Sequence, residues 1–287
     1  MKRMIIYGAG GLGHFAYLKM KDKFNILAYV DSEKDKQSLK LNGLKVYPPE
    51  MLEQLEYDVI EVCTGTSSEI IKQSLIQKYQ VAEKLISTEF VGQSDAAREN
   101  TLILASVLAQ KECIKGNVAE LGVYRGKFAK ELNRYFPDRT LYLFDTFEGL
   151  PTQDLEFDAQ KGYSKHKASY LQNTTVDEVL GVMPYPEKCV IMKGYFPESI
   201  QGLEDTFAFV SLDPDLYRPI LDGMRYFYPR LQEGGIIMIH DYSSPFFTGV
   251  MEAVKDYEEE IGKVLPKTPV GDLMSIAITK IEGVIRT

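Results

Sequence analysis

The sequence predicts an α/β protein made of two tandem units, each built on a parallel β-sheet. Strands and helices alternate along most of the 287 residues, which is typical of parallel sheets with helical crossovers. In each unit a glycine-bearing turn, at Gly8–Gly13 and at Gly122–Gly126, follows a short apolar strand and precedes a helix. In each unit the next strand ends in an acid, Asp31 in the first and Asp145 in the second.

The composition argues against several classes of partner. A net charge of −8, without any run of Lys and Arg, is unsuited to general binding of nucleic acid or of an anionic membrane. The apolar start is too short for a signal peptide, and no apolar run approaches the roughly 18 residues of a membrane span. The three cysteines, Cys63, Cys113 and Cys189, lack metal-ligand spacing and suit a reducing compartment. We therefore expect a soluble, cytoplasmic protein.

The first unit, which we place at residues 1–91, has the pattern of a small Rossmann-like nucleotide-binding domain. Strand, GxGxxG loop, helix, strand and acid is the context that a dinucleotide fingerprint requires. The segments IYGAGGLG, YVDSE and YPPEML also resemble the small amino-terminal domain of bacterial sugar acyltransferases, which holds part of a nucleotide sugar. The candidate nucleotide-binding residues are Gly8, Gly10, Gly11, Gly13 and Asp31.

Other roles stay open for this unit. Further strands are predicted at Tyr57–Cys63 and Val81–Ile86, and the unit is too short for a full dinucleotide domain. A structural or oligomer-forming role is one alternative, and hydride chemistry is another. Tyr17 and Lys21 have the spacing of short-chain dehydrogenases, but they lie on the helix beside the glycine loop, which is the wrong place for that chemistry.

The second unit, residues 92–287, begins with an amphipathic helix predicted at Asp95–Glu112. The apolar face of this helix is predicted to consist of Leu102, Leu104, Val107 and Leu108. The strands that follow are predicted at Val118–Leu121, Thr140–Phe144, Cys189–Met192, Phe207–Leu212, Gly234–Ile239 and Ser275–Ile281. The helices between them are predicted at Phe128–Phe136, Thr175–Val182 and Gly249–Ile261. Residues 152–174 show no clear period and are predicted to be a loop that forms a lid, with disorder as the alternative. His166 within it is predicted to be a solvated loop residue.

Three candidate catalytic residues stand at strand ends of the second unit. Proline is tolerated only in the first turn of a helix, so Pro219 predicts that its helix begins near Asp215 and that Asp215 caps it. Asp213 is then left at the carboxyl end of a strand, where open α/β sheets bind ligands. His240 and Asp241 end the next strand. Two carboxylates brought together there would suit Mg²⁺, which prefers oxygen ligands.

Five segments together resemble the macrocin O-methyltransferase (TylF-like) family, a branch of the class I S-adenosylmethionine (SAM) methyltransferases. In order they are ELGVYRG, LFDTFEGLP, KGYFPESI, LDPDLYRPILDGMRYFYPRL and GGIIMIHDY. The resemblance implies a doubly wound sheet with an antiparallel terminal strand, SAM as cofactor, and transfer of a methyl group to a sugar hydroxyl. The acceptor would be a nucleotide sugar, a glycan or a glycosylated metabolite, and we expect a homo-oligomer.

Turn geometry and the resemblance together assign the contacts with SAM. Glu120 is expected at the amino group, the turn after it at the methionine part, and Asp145 at the ribose diol. We attribute the glycines at 122 and 126 to close approach of the backbone to the ligand. The turn after Lys193 is expected beside adenine, with Phe196 in the core as the alternative. The full set is Glu120, Gly122, Tyr124, Gly126, Asp145, Thr146, Phe147, Gly194, Tyr195 and Phe196.

The resemblance also implies a divalent metal, held in the family by one aspartate and an Asp-Asp pair. Asp213 and Asp241 match by position, whereas His240 stands where an aspartate is expected. Imidazole suits Mn²⁺, Fe²⁺ or Zn²⁺ better than Mg²⁺. Alternatively, His240 is the general base and the site binds metal weakly or not at all. Asp213 could serve as ligand and as base.

Two functions of other classes remain as alternatives. The first is a scaffold without catalysis that binds a nucleotide or a nucleotide sugar through the glycine loop of the first unit. The second is an NAD(P)-dependent oxidoreductase.

Overall fold

The computed structural model describes residues 1–165, 171–200 and 202–281. The chain divides into two units, Met1–Ala96 and Ala97–Thr287. The predicted loop residue His166 lies outside the described residues. Within the described ranges, no helix is long and apolar enough to cross a bilayer.

The first unit is an α/β sheet of six strands. Its elements are β1 (Arg3–Tyr7), α1 (Gly11–Met20), β2 (Asn25–Val30), β3 (Lys40–Leu41), β4 (Leu44–Tyr47), β5 (Val59–Val62), α2 (Ser68–Gln77) and β6 (Ile86–Ser87). The strand order is β3-β4-β2-β1-β5-β6, and every neighbouring pair is parallel except the short hairpin β3–β4. The predicted strand Val81–Ile86 is wrong, because Glu83–Leu85 form a 3-10 turn and the strand begins only at Ile86.

The second unit contains a sheet of seven strands. Its elements are α3 (Glu89–Lys111, within which the two units divide), β7 (Asn117–Leu121), α4 (Lys127–Tyr135), β8 (Leu141–Asp145), α5 (Thr152–Lys161), α6 (Val176–Val182), β9 (Cys189–Lys193), β10 (Phe207–Leu212), α7 (Tyr217–Arg230), β11 (Leu231–Ile239), α8 (Gly249–Ile261), β12 (Lys267–Pro269) and β13 (Ile276–Thr279). The strand order is β12-β13-β11-β10-β7-β8-β9. All neighbours are parallel except β13, which runs antiparallel to β11 and β12. The predicted doubly wound sheet with an antiparallel terminal strand is therefore confirmed.

Helices cover both faces of this sheet. Buried residues of α3, α4 and α6 form one hydrophobic cluster, and those of α5, α7 and α8 form the other. The second cluster is rich in aromatic rings, among which Phe144, Phe207 and Phe227 are wholly buried and meet edge to face. Each such aromatic pair stabilises the fold by about 0.5–1.5 kcal/mol beyond the free energy gained from burying its area.

The order of the strands reverses between β7 and β10. The chain builds β8 and β9 on one side of β7, and β10 and β11 on the other. Ligands of open α/β sheets bind at the carboxyl ends of the strands at such a switch point. Leu121 pairs with Leu212 at the ends of these two strands, so Gly122 and Asp213 follow at the same level of the sheet.

The glycines of the second turn are required by contacts within the protein itself, and close approach to a ligand stays a prediction. Gly122 has φ +86°, and a Cβ there would lie 2.2 Å from the carbonyl oxygen of Asp213. Gly126 has φ +72°, and a Cβ there would lie 2.9 Å from Cε of Met183. The first contact is with backbone, which cannot move aside without shifting β10.

The apolar face predicted for α3 is wrong in part. Leu102 is buried as predicted, but its companions on the inward face are the small residues Ala105 and Ala109. The other three predicted residues are exposed by 36–59%; they are Leu104, Val107 and Leu108. Large side chains dominate a hydrophobic pattern, so the alanines that allow α3 to pack closely gave the weaker signal.

The loop predicted at residues 152–174 is also wrong over its first part, which is helix α5. The inward face of α5 consists of Asp154, Leu155 and Asp158, all buried. Asp154 Oδ1 accepts a hydrogen bond from the hydroxyl of Tyr195 at 3.0 Å, and Asp158 Oδ2 accepts one from the backbone of Tyr217 at 3.4 Å. A helix that docks through carboxylates shows no apolar period, which is why the pattern failed.

We expect Gly122→Ala to destabilise the second unit strongly. Alanine is unfavourable in this left-handed backbone conformation, and its Cβ would clash with the carbonyl of Asp213. The two effects together cost about 2–5 kcal/mol. Thermal unfolding of the purified variant measures the effect. Gly181→Ala is the matched control, because a Cβ there meets no atom of the described chain within 4 Å and its helix tolerates alanine. Equal melting temperatures for the two variants would contradict this account.

We expect Asp158→Asn to stabilise the protein near neutral pH. Burial raises the pKa of Asp158 to about 6, whereas the unfolded value is about 3.9. The contribution of the protonated Asp158 to the free energy of unfolding is therefore complete below pH about 4. It is lost as the pH rises towards 6, because the unfolded state then ionises more readily than the folded state. Asparagine cannot ionise and its oxygen can still accept from Tyr217.

The expected gain near pH 7.5 is on the order of 1 kcal/mol, or about 2–4 °C in melting temperature. The gain should disappear near pH 4, which a series of melting curves across pH measures. Asp22→Asn, at an exposed turn, controls for the change in net charge. Lower stability of Asp158→Asn near pH 7.5 would show that the anion itself holds α5 in place.

Candidate active site

Asp145 holds together the two turns that the sequence assigns to SAM. Its Oδ2 accepts backbone hydrogen bonds from Val123 at 2.7 Å and Tyr124 at 2.8 Å, and its Oδ1 accepts one from Phe147 at 2.7 Å. The residue is only half-buried. A carboxylate has about four lone-pair sites, so Asp145 can accept further hydrogen bonds from a diol while it fixes both turns.

Both turns carry strained backbone. Tyr124 has φ 49° and Phe147 has φ 55°, a region that residues other than glycine rarely adopt and that costs about 1–3 kcal/mol each. The hydrogen bonds from the backbone N–H groups to Asp145 compensate for this strain. Thr146 closes its own turn by donating to the carbonyl of Gly149 at 2.8 Å, and the hydroxyl of Tyr124 donates to Asn173 Oδ1 at 2.6 Å.

The turn assigned to adenine is partly committed to the core. Phe196 is 4% exposed and stacks on Phe227 with ring centroids 5.8 Å apart, which is the alternative that the sequence left open. Tyr195 donates its hydroxyl to Asp154, so its ring is held by α5. Gly194 has φ 138° and is half-buried at the end of β9.

Asp213, His240 and Asp241 converge at the carboxyl ends of β10 and β11. One ligand atom from each lies within 4.8 Å of those of the other two. His240 Nδ1 lies 3.1 Å from Asp241 Oδ2 and 3.5 Å from Asp213 Oδ1. This nitrogen is buried and has no hydrogen-bond partner within the described chain.

The electrostatics of the cluster favour charged side chains despite their burial. Burial opposes the imidazolium of His240, but the charges of Asp213 and Asp241 outweigh it and raise the pKa of His240. Burial likewise opposes ionisation of Asp241, but His240 lowers the pKa of that carboxyl below its usual range. The cluster therefore attracts positive charge, whether a proton or a metal ion supplies it.

Asp215 is a member of this site that the sequence analysis missed. Helix α7 begins at Tyr217, its N-cap is Leu216, and no side chain caps it, so the predicted capping by Asp215 is wrong. Pro219 occupies the third position of the helix, and the first four N–H groups of a helix have no intrahelical partner. A proline can occupy any position of the first turn, so Pro219 did not determine at which residue the helix begins.

The side chain of Asp215 turns into the cluster instead. It is 8% exposed, has φ 63°, and hydrogen-bonds to Asp241. Burial and the charge of Asp241 raise the pKa of Asp215 well above its usual value. Two carboxyl groups in such contact share one proton. The D-x-D spacing after β10 was the available signal.

Arg98 is the second residue that the sequence analysis missed. Its Nη2 donates to Asp213 Oδ2 at 3.0 Å, and its guanidinium lies over the ring of Phe128 at 4.6 Å. Arg98 precedes Leu102 by four residues and so falls on the same inward face of α3. That spacing could have revealed it once the face was correctly assigned.

Glu120 lies deeper than expected for a residue at the amino group of SAM. It is 2% exposed, and its Oε2 has no hydrogen-bond partner within the described chain. Burial, together with the nearby charge of Asp213, raises the pKa of Glu120 well above its usual value. Glu120 pairs across the sheet with Ser211 of β10.

The cluster fits a divalent metal. Two ligands bound about 2.1 Å from one ion at right angles lie about 3 Å apart, close to the separations that His240 makes with the two carboxylates. Nδ1 of His240, which has no hydrogen-bond partner within the described chain, can serve as a ligand atom once it has lost its proton. Two carboxylates and one imidazole suit Mn²⁺ better than Mg²⁺.

In the first unit, the glycine loop is shaped by contacts within the chain. A Cβ at Gly8 would lie 2.4 Å from the carbonyl oxygen of Cys63, and a Cβ at Gly13 would lie 1.9 Å from the carbonyl oxygen of Gly8. Gly10 differs, because a Cβ there would meet no atom of the described chain within 4 Å. Gly11 begins α1. Among Gly8, Gly10 and Gly13, it is Gly10 that leaves room for a ligand near the backbone.

Asp31 of the first unit turns towards this loop. Its Oδ2 accepts from the backbone of Ala9 at 2.8 Å and lies 3.5 Å from Nζ of Lys36, and its Oδ1 accepts from the backbone of Glu33 at 2.9 Å. It is 5% exposed. Nucleotide binding by this unit stays a prediction.

Sequence profiles match both parts of the chain. The profile described as Macrocin-O-methyltransferase (TylF) matches residues 89–273, and the one described as C2185-like, N-terminal, matches residues 1–87. The chain is 27% identical over 169 residues to the mycinamicin III 3''-O-methyltransferase of Micromonospora griseorubida, covering 54% of this chain and 65% of that protein.

A second relative comes from Streptomyces olivaceus. The chain is 26% identical over 170 residues to its 8-demethyl-8-(2,3-dimethoxy-alpha-L-rhamnosyl)-tetracenomycin-C 4'-O-methyltransferase, covering 52% of this chain and 60% of that protein. Both matches span less than two thirds of the relative. Among solved structures, the O-methyltransferase NovP superposes with a TM-score of 0.54 at 20% identity, covering 65% of this chain and 80% of NovP. This likeness confirms the predicted fold.

Proposed function

The chain belongs to the macrocin-O-methyltransferase (TylF) family, and we propose that it transfers a methyl group from SAM to a sugar hydroxyl with the assistance of a divalent metal. The observation that carries the proposal is the convergence of Asp213, His240 and Asp241 within 4.8 Å, at the switch-point edge of the sheet. The acceptor class follows from the names of the two relatives, of which one methylates a rhamnosyl compound by its name.

SAM supplies an electrophilic methyl group on a sulfonium. The protein must hold the acceptor oxygen in line with that methyl and exclude water. We assign the turns fixed by Asp145 to the cofactor, with the carboxylate itself accepting from the ribose diol. Glu120 and the turn at Gly122–Gly126 lie on the side of Asp213, where the methionine part would reach the cluster.

A sugar hydroxyl is a poor nucleophile until its proton is withdrawn. Asp213, His240 and Asp241 would hold the metal, which lowers the pKa of a hydroxyl bound beside it. Asp213, which we propose as ligand and as base, would take the released proton, because the hydrogen-bonded pair of Asp215 and Asp241 already holds one. His240 is assigned as a ligand, because its Nδ1 is buried, unpartnered and turned to both carboxylates.

We assign the glycine loop of the first unit to the carrier of the acceptor, such as a nucleotide sugar. The open space at Gly10 supports this assignment. The expected homo-oligomer and a cytoplasmic location are also proposals. A scaffold without catalysis would lack any need for the converged cluster, and the oxidoreductase alternative has no support beyond the glycine loop.

We expect Asp145→Asn to weaken binding of S-adenosylhomocysteine about 10–100-fold, because it removes a charged hydrogen-bond acceptor. Asp213→Asn and Asp241→Asn should bind it within a few-fold of wild type and lose turnover by at least about 100-fold. Calorimetry measures binding, and transfer of labelled methyl groups to a panel of nucleotide sugars and glycosylated compounds measures turnover. Asp138→Asn, at an exposed turn, is the control. A wild-type protein without affinity for S-adenosylhomocysteine would exclude the methyltransferase proposal.

We expect His240→Asp to shift the metal preference from Mn²⁺ towards Mg²⁺. The change replaces a nitrogen ligand by oxygen and supplies the aspartate expected in the family, and carboxylates favour the harder ion. Calorimetric titration of the metal-free protein with each ion gives the ratio of dissociation constants. An unchanged ratio would mean that His240 is not a ligand and would favour its role as a general base.

A further inference from the structure

Arg98 is the one cation of the chain that directly contacts a candidate metal ligand in the described structure. Its side chain is 13% exposed, and it reaches Asp213 from the inward face of α3. The ring of Phe128 supports the guanidinium from a second side. A planar guanidinium held in this way forms a directed hydrogen bond that the flexible ammonium of lysine does not reproduce.

This contact divides the two oxygens of Asp213 between two tasks. Oδ2 accepts from Arg98 at 3.0 Å, whereas Oδ1 faces Nδ1 of His240 at 3.5 Å. The carboxylate cannot rotate about its own axis without breaking the first contact. Asp213 therefore presents a single, fixed oxygen to the cluster before any ion arrives.

We propose that Arg98 is a positioning residue that holds Asp213 in its metal-binding orientation. The proposal rests on the proposed function, since it takes the cluster of Asp213, His240 and Asp241 to be a divalent site. Hydrogen-bond partners that orient metal ligands raise metal affinity, and their loss typically costs about 10–100-fold.

The charge of Arg98 alone would act in the opposite direction. A guanidinium beside the site repels a second cation, so its removal would tighten metal binding if repulsion dominated. The negative charges of Asp213 and Asp272 both act on Arg98, so the positive charge of Arg98 is balanced within the protein. We therefore infer that orientation outweighs repulsion, and the sign of the measured change separates the two effects.

The test is titration of the metal-free protein with Mn²⁺. Binding is measured by calorimetry and by the electron paramagnetic resonance signal of the Mn²⁺ that stays free. Arg98→Met is expected to weaken binding about 10–100-fold, and Arg98→Lys, which keeps the charge and loses the planar fork, by at least about threefold. Arg225→Met is the matched control, because Arg225 pairs with Glu260 at the surface of α7, and it should match wild type.

A double-mutant cycle shows whether Arg98 acts through Asp213. In the Asp213→Asn background, Arg98→Met should change Mn²⁺ affinity less than about twofold. Tighter or unchanged binding by Arg98→Met, or the same loss in both backgrounds, would overturn the proposal, as would a wild-type protein that takes up no Mn²⁺. If Arg98→Met fails to fold, equality of Arg98→Lys with wild type overturns it. Binding of S-adenosylhomocysteine by wild type tests the proposed function separately.

Discussion

The second unit depends on the mutual neutralisation of charges buried at one edge of its sheet. Arg98 pairs with Asp213, His240 lies beside Asp241, and Asp215 hydrogen-bonds to Asp241. Removing one partner from a buried pair leaves an uncompensated charge and typically costs about 3–5 kcal/mol. The groups of the proposed active site thus also bear on folding. The register of β7 and β10 brings them together, because it sets Gly122 against the backbone of Asp213.

The neighbouring turns follow a related logic, in which a carboxylate compensates for strained backbone. Asp145 accepts three amide hydrogen bonds, two from the residues after Gly122 and one from Phe147. Tyr124 and Phe147 adopt left-handed conformations that would be unfavourable without these bonds. The surface assigned to the cofactor is therefore shaped by the protein in advance. A preorganised surface of this kind loses less conformational freedom when a ligand binds.

Local signals predicted most of the sheet and only part of the site. Strand β10 and helix α8 have the predicted bounds, because an apolar run marks the strand and glycines mark the two ends of the helix. Helix α5 could not be found in this way, since Asp154 and Asp158 face inward and their partners lie far along the chain. Local spacing gave a signal for both Arg98 and Asp215, but it does not show what they do. Their roles depend on contacts with Asp213 and with Asp241, which come from different elements of the fold.

The histidine at position 240 changes the charge of the proposed metal site as well as the type of ligand it would offer. With an aspartate there, three carboxylates and Arg98 would leave two net negative charges, enough to balance a divalent ion. With a neutral imidazole at His240, only one net negative charge remains. Attraction by charge would then be weaker, and the proposed metal would rely more on its bond to nitrogen, which favours the softer ions. A cluster with this charge also attracts a proton to His240 when no metal is bound, as the raised pKa of His240 indicates. If a metal binds here as proposed, proton and metal would compete for the same nitrogen, and metal affinity would then rise with pH.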